Sequence, residues 1–453
     1  MNKVLILGAG MVTKPMADYF LDKCKYHVVM ATRTISKAEQ IINDRSNAKT
    51  ISWTTDDRTL LDKLVNDVDI VISMLPPTQH IPVAKACLKY KKDMVTTSYL
   101  NPEMLALDKD AKEQNIIILN EIGEDPGIDH MGAKRMIDKI KNEGGRIVSL
   151  TSYGAGLTSF EHNRNPFGYK FSWSPKGVLM AARTSAAYLK KGKKIDVPAE
   201  LLFDHHWLVD IEGLGTFETY PNRDSTIYRE YFELDENVSL YRGLLRFTGW
   251  CNTLRKLKKL NLLDDDKEQI FENKTYREFT ASLTGNGNEA GGIAEFLNVE
   301  ENDDIIKRLR WLGLLDDKKI TLNKGTNADL LVDLMLKKMS YQPNEKDMII
   351  VHDEIVAKFE DLYEKRMSTM MVEGIPGGDS AMSRAVSLPA AIAAKHILEN
   401  EITIKGVQIP TSSEIYNPVL NELELFGYKF KHMKIKMDDS TTANKSCTQK
   451  GFQ

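Results

Sequence analysis

Carboxylates crowd a turn between Asn120 and His130, where the sequence reads NEIGEDPGIDH. Four acidic side chains so close together favour a shifted pKa for one of them, which suits a carboxyl group for proton transfer. Asp125 precedes a proline, and this favours an extended backbone that can direct its carboxylate into a cleft. Asp129 can instead cap the helix predicted to begin near His130. The residues alone leave catalysis by this turn and a purely structural turn equally open.

Four further side chains offer hydrogen-bond donors beside predicted strand ends or turns. Ser98 and Tyr99 follow a predicted strand, so the tyrosine hydroxyl can reach a ligand crevice, although buried tyrosines more often serve packing. Arg223 in YPNRDS and Arg246 in RGLLR lie beside predicted tight turns, where a guanidinium can bind a carboxylate through two hydrogen bonds. A surface ion pair, such as Arg223 with Asp224, is the alternative for either arginine.

A dinucleotide site is predicted at the start of the chain. An apolar run, Val4 to Leu7, leads into the turn Gly8-Ala9-Gly10-Met11-Val12 and then into a helical stretch. The first glycine of such a turn permits a sharp bend, and the second lets the backbone approach a pyrophosphate at the helix N-terminus. Thr13 stands where the third glycine of the fingerprint is expected, so the motif is incomplete and an ordinary strand-to-helix turn is the alternative.

The end of the second predicted strand favours NADP over NAD. NAD-specific folds place an Asp or Glu there for the ribose hydroxyls. This chain has no acid at that point and offers Arg33, Thr34, Ser36 and Lys37, which suit a 2′-phosphate. A solvated helix start with Ser36 as its N-cap is the alternative.

These residues need a parallel sheet to position them. Strand and helix patterns alternate through the first 120 residues, which predicts helices on both faces of such a sheet. Ligands bind outside the carboxyl ends of the strands, where Leu75, Pro76 and Ser98 also lie. Further along, we predict strands near 147–154 and 197–247, a helix from Lys176 to Leu189, helices over about 250–345 and a long small-residue helix over 380–398.

Composition sets the class of protein. With 453 residues, 42% hydrophobic and 28% charged, the chain has the composition of a soluble globular protein of two or three domains. A net charge of −3 gives no indication of a nucleic-acid surface. The four cysteines lack the spacing of a metal site or a disulfide framework, and no apolar run is long enough for a membrane span. Since Met1-Asn2-Lys3 leads directly into a strand, without a signal peptide, we expect a cytoplasmic protein. From the cysteine spacing we expect reduced thiols and no bound metal.

Six segments together resemble the glutamate-forming saccharopine dehydrogenases, also called saccharopine reductases. They are VTTSYLNPEM, NEIGEDPGIDHMGA, NPFGYKFSWSPKGVLMAARTSA, YPNRDSTIYRE, YRGLLRFTGW and SAMSRAVSLPAAIAAKHIL, in the order and at the spacing of that family. The resemblance extends from Val4 to about Gly427. It implies an enzyme that reversibly joins glutamate and 2-aminoadipate 6-semialdehyde by reducing an imine with a nicotinamide cofactor.

The resemblance also implies an α/β homodimer of three domains. We expect a variant Rossmann domain over 1–125, completed by C-terminal helices near 380–430. A mixed α/β saccharopine-binding domain is expected over 126–249 with about 346–379, and an inserted all-α domain over 250–345, before a flexible tail at 438–453.

The residue roles follow from the same resemblance. Asp125 and Tyr99 are the expected catalytic residues. The expected cofactor-binding residues are Gly8, Gly10, Met11, Val12, Arg33, Thr34, Leu75, Pro76, Ser98 and Ser174. The expected substrate-binding residues are Ser98, Tyr99, Asp125, Arg223, Leu244, Leu245 and Arg246.

The chain departs from the family at some positions. Fungal members have a cysteine where this chain has Gly154. The segment LPPTQH is closer to the dehydrogenase half of bifunctional lysine-degrading enzymes, many of which use NAD, whereas ATRT is closer to NADP-using reductases. NADP is therefore the expected cofactor, with NAD possible. Two other functions remain open: a related dehydrogenase for another amino-acid or polyamine imine, of the carboxynorspermidine type, and a non-enzymatic NADP sensor.

Overall fold

Strands and helices alternate through the first part of the chain, as the sequence predicts. The structure, a computed structural model, describes residues 1–285, 290–360 and 362–437, so the predicted tail at 438–453 lies outside it. The first elements are β1 Lys3–Leu7, α1 Lys14–Asp18 with a π-helical turn Tyr19–Lys23, β2 His27–Thr32, α2 Ile35–Ile42, β3 Ala48–Ser52, α3 Arg58–Asn66, β4 Ile70–Ser73, α4 His80–Tyr90, β5 Asp93–Thr96, α5 Pro102–Leu105, α6 Asp108–Glu113, β6 Ile117–Leu119, α7 Ile128–Asn142 and β7 Arg146–Thr158.

The rest of the described chain mixes short strands with helices and returns to long strands near its end. These elements are α8 Pro175–Ala181, β8 Ala186–Lys190, β9 Lys193–Val197, β10 Trp207–Ile211, β11 Gly215–Pro221, α9 Tyr228–Tyr231, β12 Ser239–Arg246, α10 Trp250–Lys259, β13 Gln269–Ile270, α11 Tyr276–Thr284, α12 Ala290–Leu297, α13 Asp304–Leu312, β14 Lys324–Gly325, α14 Asn327–Met339, β15 Asp347–Lys358, β16 Tyr363–Glu373, α15 Ala381–Leu398, β17 Gly406–Gln408, α16 Ser413–Glu424 and β18 Lys431–Met437.

The helix predicted from Lys176 to Leu189 is wrong in its second half. The helix ends at Ala181, and β8 begins at Ala186. The first four residues of β8 are all buried, so the strand has no alternation of apolar and polar side chains. A short apolar run of this kind has the same appearance in a buried helix and in a buried strand.

The described chain divides into two compact units. The first contains Met1–Gly156, Arg229–Asp235 and residues from Met348 onward, and the second contains Leu157–Tyr228 and Glu236–Asp347. In the first unit, seven parallel strands form a sheet in the order β17-β6-β5-β4-β1-β2-β3. The last strand to join, β17, comes from the C-terminal part of the chain and pairs with β6. In the same unit β7, β15, β16 and β18 are successive neighbours of another sheet.

The second unit combines antiparallel strands with helices α10 to α14. Strands β10, β11 and β12 pair in that order, and β8 pairs with both β12 and β9. The helices begin at polar caps that satisfy otherwise unpaired amides: Thr275 and Glu278 form a capping box at α11, and Thr326 and Asp329 form one at α14. Apart from the two-residue strands β13 and β14, residues 250–345 are helical or irregular in the described part of the chain, as predicted.

No described helix has the length and apolar character needed to cross a membrane.

A buried carboxylate joins three helical segments of the first unit. Glu422 on α16 accepts hydrogen bonds from the Tyr19 hydroxyl at 2.7 Å, from Lys23 at 2.9 Å and from Lys395 at 3.0 Å. Burial alone would raise the pKa of Glu422, but hydrogen bonds from His396, Lys23, Tyr19 and Lys395 outweigh it and hold the pKa well below its usual range. The charged form of Glu422 is therefore the stabilising one.

Replacing Glu422 with glutamine is expected to destabilise the protein by about 2–4 kcal/mol, because two lysines lose their buried partner. A carboxyl group with a lowered pKa in the folded state stabilises that state fully above its unfolded pKa of about 4.3, and the contribution disappears as the pH falls further. Urea unfolding of wild type and variant at neutral pH, and again near pH 3, measures both effects. A stability difference as large in acid as at neutral pH would contradict the electrostatic explanation.

Candidate active site

The turn after β1 requires glycine. Gly8 has φ +108°, and an added Cβ would lie 2.8 Å from the carbonyl oxygen of Met74. At the third position of the motif, the buried Thr13 accepts a hydrogen bond from the Gly10 amide at 3.1 Å, so a side chain replaces the missing glycine in fixing the turn. Gly10 and Met11 are exposed and Val12 is half-buried. The backbone here is accessible to a bound pyrophosphate, which fits a dinucleotide.

Arg33 and Thr34 lie exposed at the end of β2. Thr34, rather than Ser36, occupies the N-cap position of α2, and its side chain makes no capping hydrogen bond. The alternative in which Ser36 caps this helix is therefore wrong. Among the described residues the Arg33 guanidinium has no ion-pair partner, and with the hydroxyls of Thr34 and Ser36 at a strand end without an acid it fits a 2′-phosphate.

A buried histidine connects the ends of β4 and β5. The Ser73 hydroxyl is 2.8 Å from His80 Nδ1, and the Ser98 hydroxyl is 2.8 Å from His80 Nε2. Burial lowers the pKa of His80 to about 4. The imidazole is therefore neutral at pH 7 and, as one donor and one acceptor, connects the two serine hydroxyls. Leu75, which is half-buried, and Pro76, which is exposed, follow the end of β4.

Tyr99 and Asp125 are brought together. The Tyr99 hydroxyl donates a hydrogen bond to Asp125 Oδ1 at 2.9 Å, although the two residues follow different strands. The Asp125–Pro126 peptide bond is cis. Beyond it, the Gly123 amide bonds the Pro126 carbonyl at 2.8 Å, and Asp129 accepts from the Gly127 amide at 2.7 Å at the start of α7. Gly127 is the N-cap of α7, which has no side-chain capping bond, and Asp129 lies within the first turn of the helix, so the alternative in which Asp129 caps it is wrong.

Glu121 and His130, which sequence analysis did not single out, hold the loop that carries Tyr99. Glu121 Oε1 accepts from the Leu100 amide at 2.9 Å, and its own amide bonds the Ser98 carbonyl at 3.1 Å. His130 Nε2 lies 2.9 Å from Glu121 Oε2, and both side chains are buried. The cluster of acidic residues in this turn was visible in the sequence. Their spacing, however, did not indicate which of the acids faces the loop that carries Tyr99.

Gly154 on β7 leaves room for the Asp125 carboxylate. A Cβ added at residue 154 would lie 2.7 Å from Asp125 Oδ2 and 3.2 Å from its Cβ. This chain therefore brings the acid close to the backbone of β7 at the position where the fungal sequences have a cysteine.

The Gly154→Ala variant is expected to lower kcat for the oxidation of saccharopine, the reaction that the family resemblance implies, by about tenfold. The added methyl group forces the Asp125 carboxylate away from its present position. Its thermal stability should change little if the flexible carboxylate moves rather than the strand. Gly144→Ala is the comparison variant: a Cβ there meets no atom within 4 Å, but φ of +84° strains an alanine, so it should lower stability and leave kcat unchanged. A kcat equal to that of wild type would contradict the proposed importance of this close approach.

Two of the predicted ligand residues in the second unit occupy exposed turns. The Ser174 hydroxyl accepts from the Gly177 amide at 3.2 Å, so it caps α8. Arg223 is exposed with φ +53°, and its carbonyl accepts from the Ala187 amide at 2.9 Å. Asp224 accepts from the amide and the hydroxyl of Thr226 at 2.8 and 2.6 Å.

Arg246 is buried among aromatic rings. It lies on β12, opposite Glu218 on β11, and its guanidinium carbon is 5.4 Å from the ring centre of Tyr169 and 5.5 Å from that of Trp250. Leu244 is half-buried and shares a strand face with Arg246, whereas Leu245 points to the opposite face and is fully buried. Leu245 therefore has the environment of a core residue.

Two family models match almost the whole chain. The saccharopine dehydrogenase NADP binding domain matches residues 4–119, and the saccharopine dehydrogenase C-terminal domain matches residues 123–428. The NADP-binding match covers Gly8, Arg33 and Ser98, and the C-terminal match begins just before Asp125. These matches confirm the predicted resemblance and the predicted cofactor class.

Similar proteins include saccharopine dehydrogenase [NADP(+), L-glutamate-forming] of Schizosaccharomyces pombe, which is 34% identical over 95% of this chain and 98% of that protein. The Saccharomyces cerevisiae protein of the same name is 36% identical over 93% of this chain and 97% of its own length. The mitochondrial alpha-aminoadipic semialdehyde synthase of Rattus norvegicus is 34% identical over 95% of this chain, which spans 47% of that longer protein.

The fold has a solved counterpart. The apo saccharopine dehydrogenase (L-Glu forming) from Saccharomyces cerevisiae superimposes with a TM-score of 0.88 at 34% identity, covering 96% of this chain and 100% of that one. This similarity confirms the predicted α/β class with its Rossmann-type sheet. From its sequence motifs, its fold and its near full-length similarity, the chain belongs to the saccharopine dehydrogenase family.

Proposed function

We propose that the protein is an NADP-dependent, L-glutamate-forming saccharopine dehydrogenase. The reaction oxidises the C–N bond of the secondary amine to an imine. Water then adds to the imine carbon, and collapse of the carbinolamine gives L-glutamate and L-2-aminoadipate 6-semialdehyde. NADP, when bound, accepts the hydride that leaves the substrate carbon. The observation that carries this proposal is the hydrogen bond between Tyr99 and Asp125 at the carboxyl edge of the parallel sheet, in a chain similar over its length to enzymes of this name.

The first unit supplies cofactor contacts and proton transfer in this proposal. The turn Gly8 to Val12 holds the pyrophosphate, Arg33 and Thr34 hold the 2′-phosphate, and Leu75, Pro76 and Ser98 contact the nicotinamide half. Ser174, which belongs to the second unit, is a further proposed cofactor contact. Asp125 accepts the proton of the substrate amine and returns it during hydrolysis of the imine. Tyr99 supports it, because a donated hydrogen bond stabilises the carboxylate form.

Arginines of the second unit bind the substrate carboxylates. Saccharopine carries three carboxylates, and guanidinium groups bind such groups through paired hydrogen bonds. We propose that Arg223 and Arg246 supply these contacts, with Leu244 beside Arg246. Leu245, which was also expected to bind substrate, points to the opposite face of β12 and is left out of this proposal. Positioning of this kind reduces the entropic cost of bringing the reacting groups together.

The Arg223→Ala variant is expected to raise KM for saccharopine by about tenfold with little change in kcat, because an exposed arginine contributes mainly to binding. Arg229→Ala, which removes another arginine of the same segment, is the control. An unchanged KM would mean that Arg223 does not bind a carboxylate of saccharopine.

One assay tests the function as a whole. Purified protein is mixed with saccharopine and either NADP or NAD, and the initial rate of nicotinamide reduction is followed while glutamate and the semialdehyde are quantified. Equal amounts of both products, with the faster rate on NADP, are expected. Cofactor binding without any saccharopine-dependent absorbance change would indicate a sensor, and turnover of a polyamine imine alone would indicate a carboxynorspermidine-type enzyme.

We further propose a cytoplasmic homodimer. The family resemblance supports the dimer, and the free cysteines Cys24, Cys87 and Cys251 support a reducing compartment. The division of roles among a Rossmann domain, a saccharopine-binding domain and a helical domain is likewise a proposal. Light scattering at micromolar concentration tests the dimer through the mass of the particle.

A further inference from the structure

A basic pocket lies outside the proposed active site, in the first unit. It is lined by α7 and by strands β16 and β18, and it has a volume of about 490 Å³. Arg135 and Lys139 contribute from one face of α7, where they are four residues apart, and Glu143 contributes from the C-cap position of the same helix. Pockets of this size are typical of small-molecule sites.

The positive charges of the pocket exceed the acids that face them. Arg366 pairs with Glu143 and with Glu364 at 2.8 Å, and Lys434 pairs with the same Glu364 at 2.7 Å. Two cations are less well matched, and they stand together on α7. Arg135 lies 3.6 Å from Glu424, and Lys139 is exposed and makes no ion pair or hydrogen bond within the described residues. The pocket therefore holds positive charge available to an anion.

Ser368 supplies a buried hydroxyl in the wall of this pocket. Its side chain is 1% exposed, and its oxygen has no hydrogen-bond partner among the described residues. A buried polar group without a partner is costly, and a ligand that bonds to it removes that cost. His432 lies directly opposite on β18, and burial together with the charges of Arg135 and Lys139 lowers its pKa, with Glu424 acting in the opposite sense. An anion bound here would reduce the repulsion between a protonated His432 and the positive charges of Arg135 and Lys139.

The remaining wall of the pocket is apolar. It is formed by the side chains of Met136 and Phe430, and the Phe430 ring stacks with His432 at 6.4 Å between ring centres. Met367 and Met433 pair with each other next to Ser368 and His432, so their side chains point to the opposite face of the sheet. Methionines adapt their shape to a ligand, and aromatic rings accept flat partners. A simple inorganic anion would use the cations and leave this apolar side without a contact.

We propose that the pocket binds a phosphorylated small molecule with a flat apolar body, of which a nucleoside monophosphate is the simplest class. Its phosphate lies against Arg135 and Lys139 and bonds the Ser368 hydroxyl, and its base packs against Met136 and the stacked rings of Phe430 and His432. This site is separate from the NADP turn at Gly8 and is independent of the proposed reaction.

Calorimetry with AMP tests this proposal on the full chain saturated with NADP, so that the dinucleotide site is filled. One saturable AMP site per chain is expected, and orthophosphate should bind at least about tenfold more weakly, because it lacks the base. Lys139→Gln should weaken AMP binding by about tenfold and Ser368→Ala by about threefold. Both variants should keep their turnover of saccharopine.

Lys431→Gln is the matched control, since Lys431 is an exposed lysine on β18 that does not line the pocket. It should leave AMP affinity within about twofold of wild type. Loss of AMP binding when NADP is present would place AMP in the dinucleotide site and overturn the proposal. The proposal also fails if orthophosphate binds as tightly as AMP, or if no heat of binding is seen up to about 5 mM AMP.

Discussion

Replacing Asp125 with asparagine is expected to lower kcat for saccharopine oxidation by about 10²–10⁴-fold, the usual contribution of a positioned acid–base group. The substitution keeps the size of the side chain, and the amide oxygen can still accept the hydrogen bond that Tyr99 donates at 2.9 Å. What is lost is the ability to take up and return a proton. The geometry of the turn should survive, so the change measures chemistry rather than packing.

The measurement is kcat and kcat/KM as a function of pH, with NADP saturating. Loss of one limb of the pH profile along with the fall in kcat is the expected signature of proton transfer. Glu124→Gln, which alters the neighbouring acid of the same turn, should reduce kcat by less than about tenfold. A normal kcat at every pH with a raised KM would assign Asp125 to substrate binding instead.

Arg33→Asp is expected to shift the preference for NADP over NAD by about 10³-fold. Removing charge-assisted hydrogen bonds to the 2′-phosphate costs about 1.5–3 kcal/mol, and the new carboxylate adds repulsion of that phosphate while binding the ribose hydroxyls of NAD. Both effects lower the ratio of kcat/KM with NADP to kcat/KM with NAD. The quantity to measure is kcat/KM for each cofactor at fixed saccharopine and ionic strength.

Lys63→Asp is the matched control for Arg33→Asp. It introduces the same change of charge at an exposed position in the last turn of α3, away from the carboxyl edge of the sheet. Its effect on the cofactor ratio should stay below about threefold, because exposed charges beyond contact distance are screened. Retained NAD turnover in the Arg33 variant shows that the enzyme is folded. Equal effects of both substitutions would mean that net charge, and not a contact of Arg33, sets the preference.

The sequence predicted the parallel sheet because strand and helix patterns with different periods alternate at regular intervals. It also predicted which loops lie at one edge, since the carboxyl ends of parallel strands share an edge. The Tyr99 loop and the Asp125 turn follow neighbouring strands β5 and β6, and the structure confirms that they meet. NADP was predictable for a local reason as well, namely an arginine at a position where NAD folds carry an acid.

Local sequence patterns could not predict contacts between residues that are distant in the chain. The approach of Asp125 to Gly154 joins residues from separate strands, and a lone glycine in a strand indicates only that something comes close. The role of His80 needed the three-dimensional path of α4, which places its first residue between two strand ends. The prediction of a helix over 176–189 was wrong in its second half because β8 is buried on both faces, and such a strand lacks the alternation of apolar and polar residues that identifies a strand.

The position of β17 has a consequence for synthesis of the protein. This strand, Gly406–Gln408, pairs with β6 and forms one edge of the sheet that carries the cofactor turn. A nascent chain on the ribosome therefore cannot complete that sheet until more than 400 residues have been translated. Until then the outer edge of β6 is open to mispairing, so this protein should depend on chaperones during translation more than one whose nucleotide domain is contiguous.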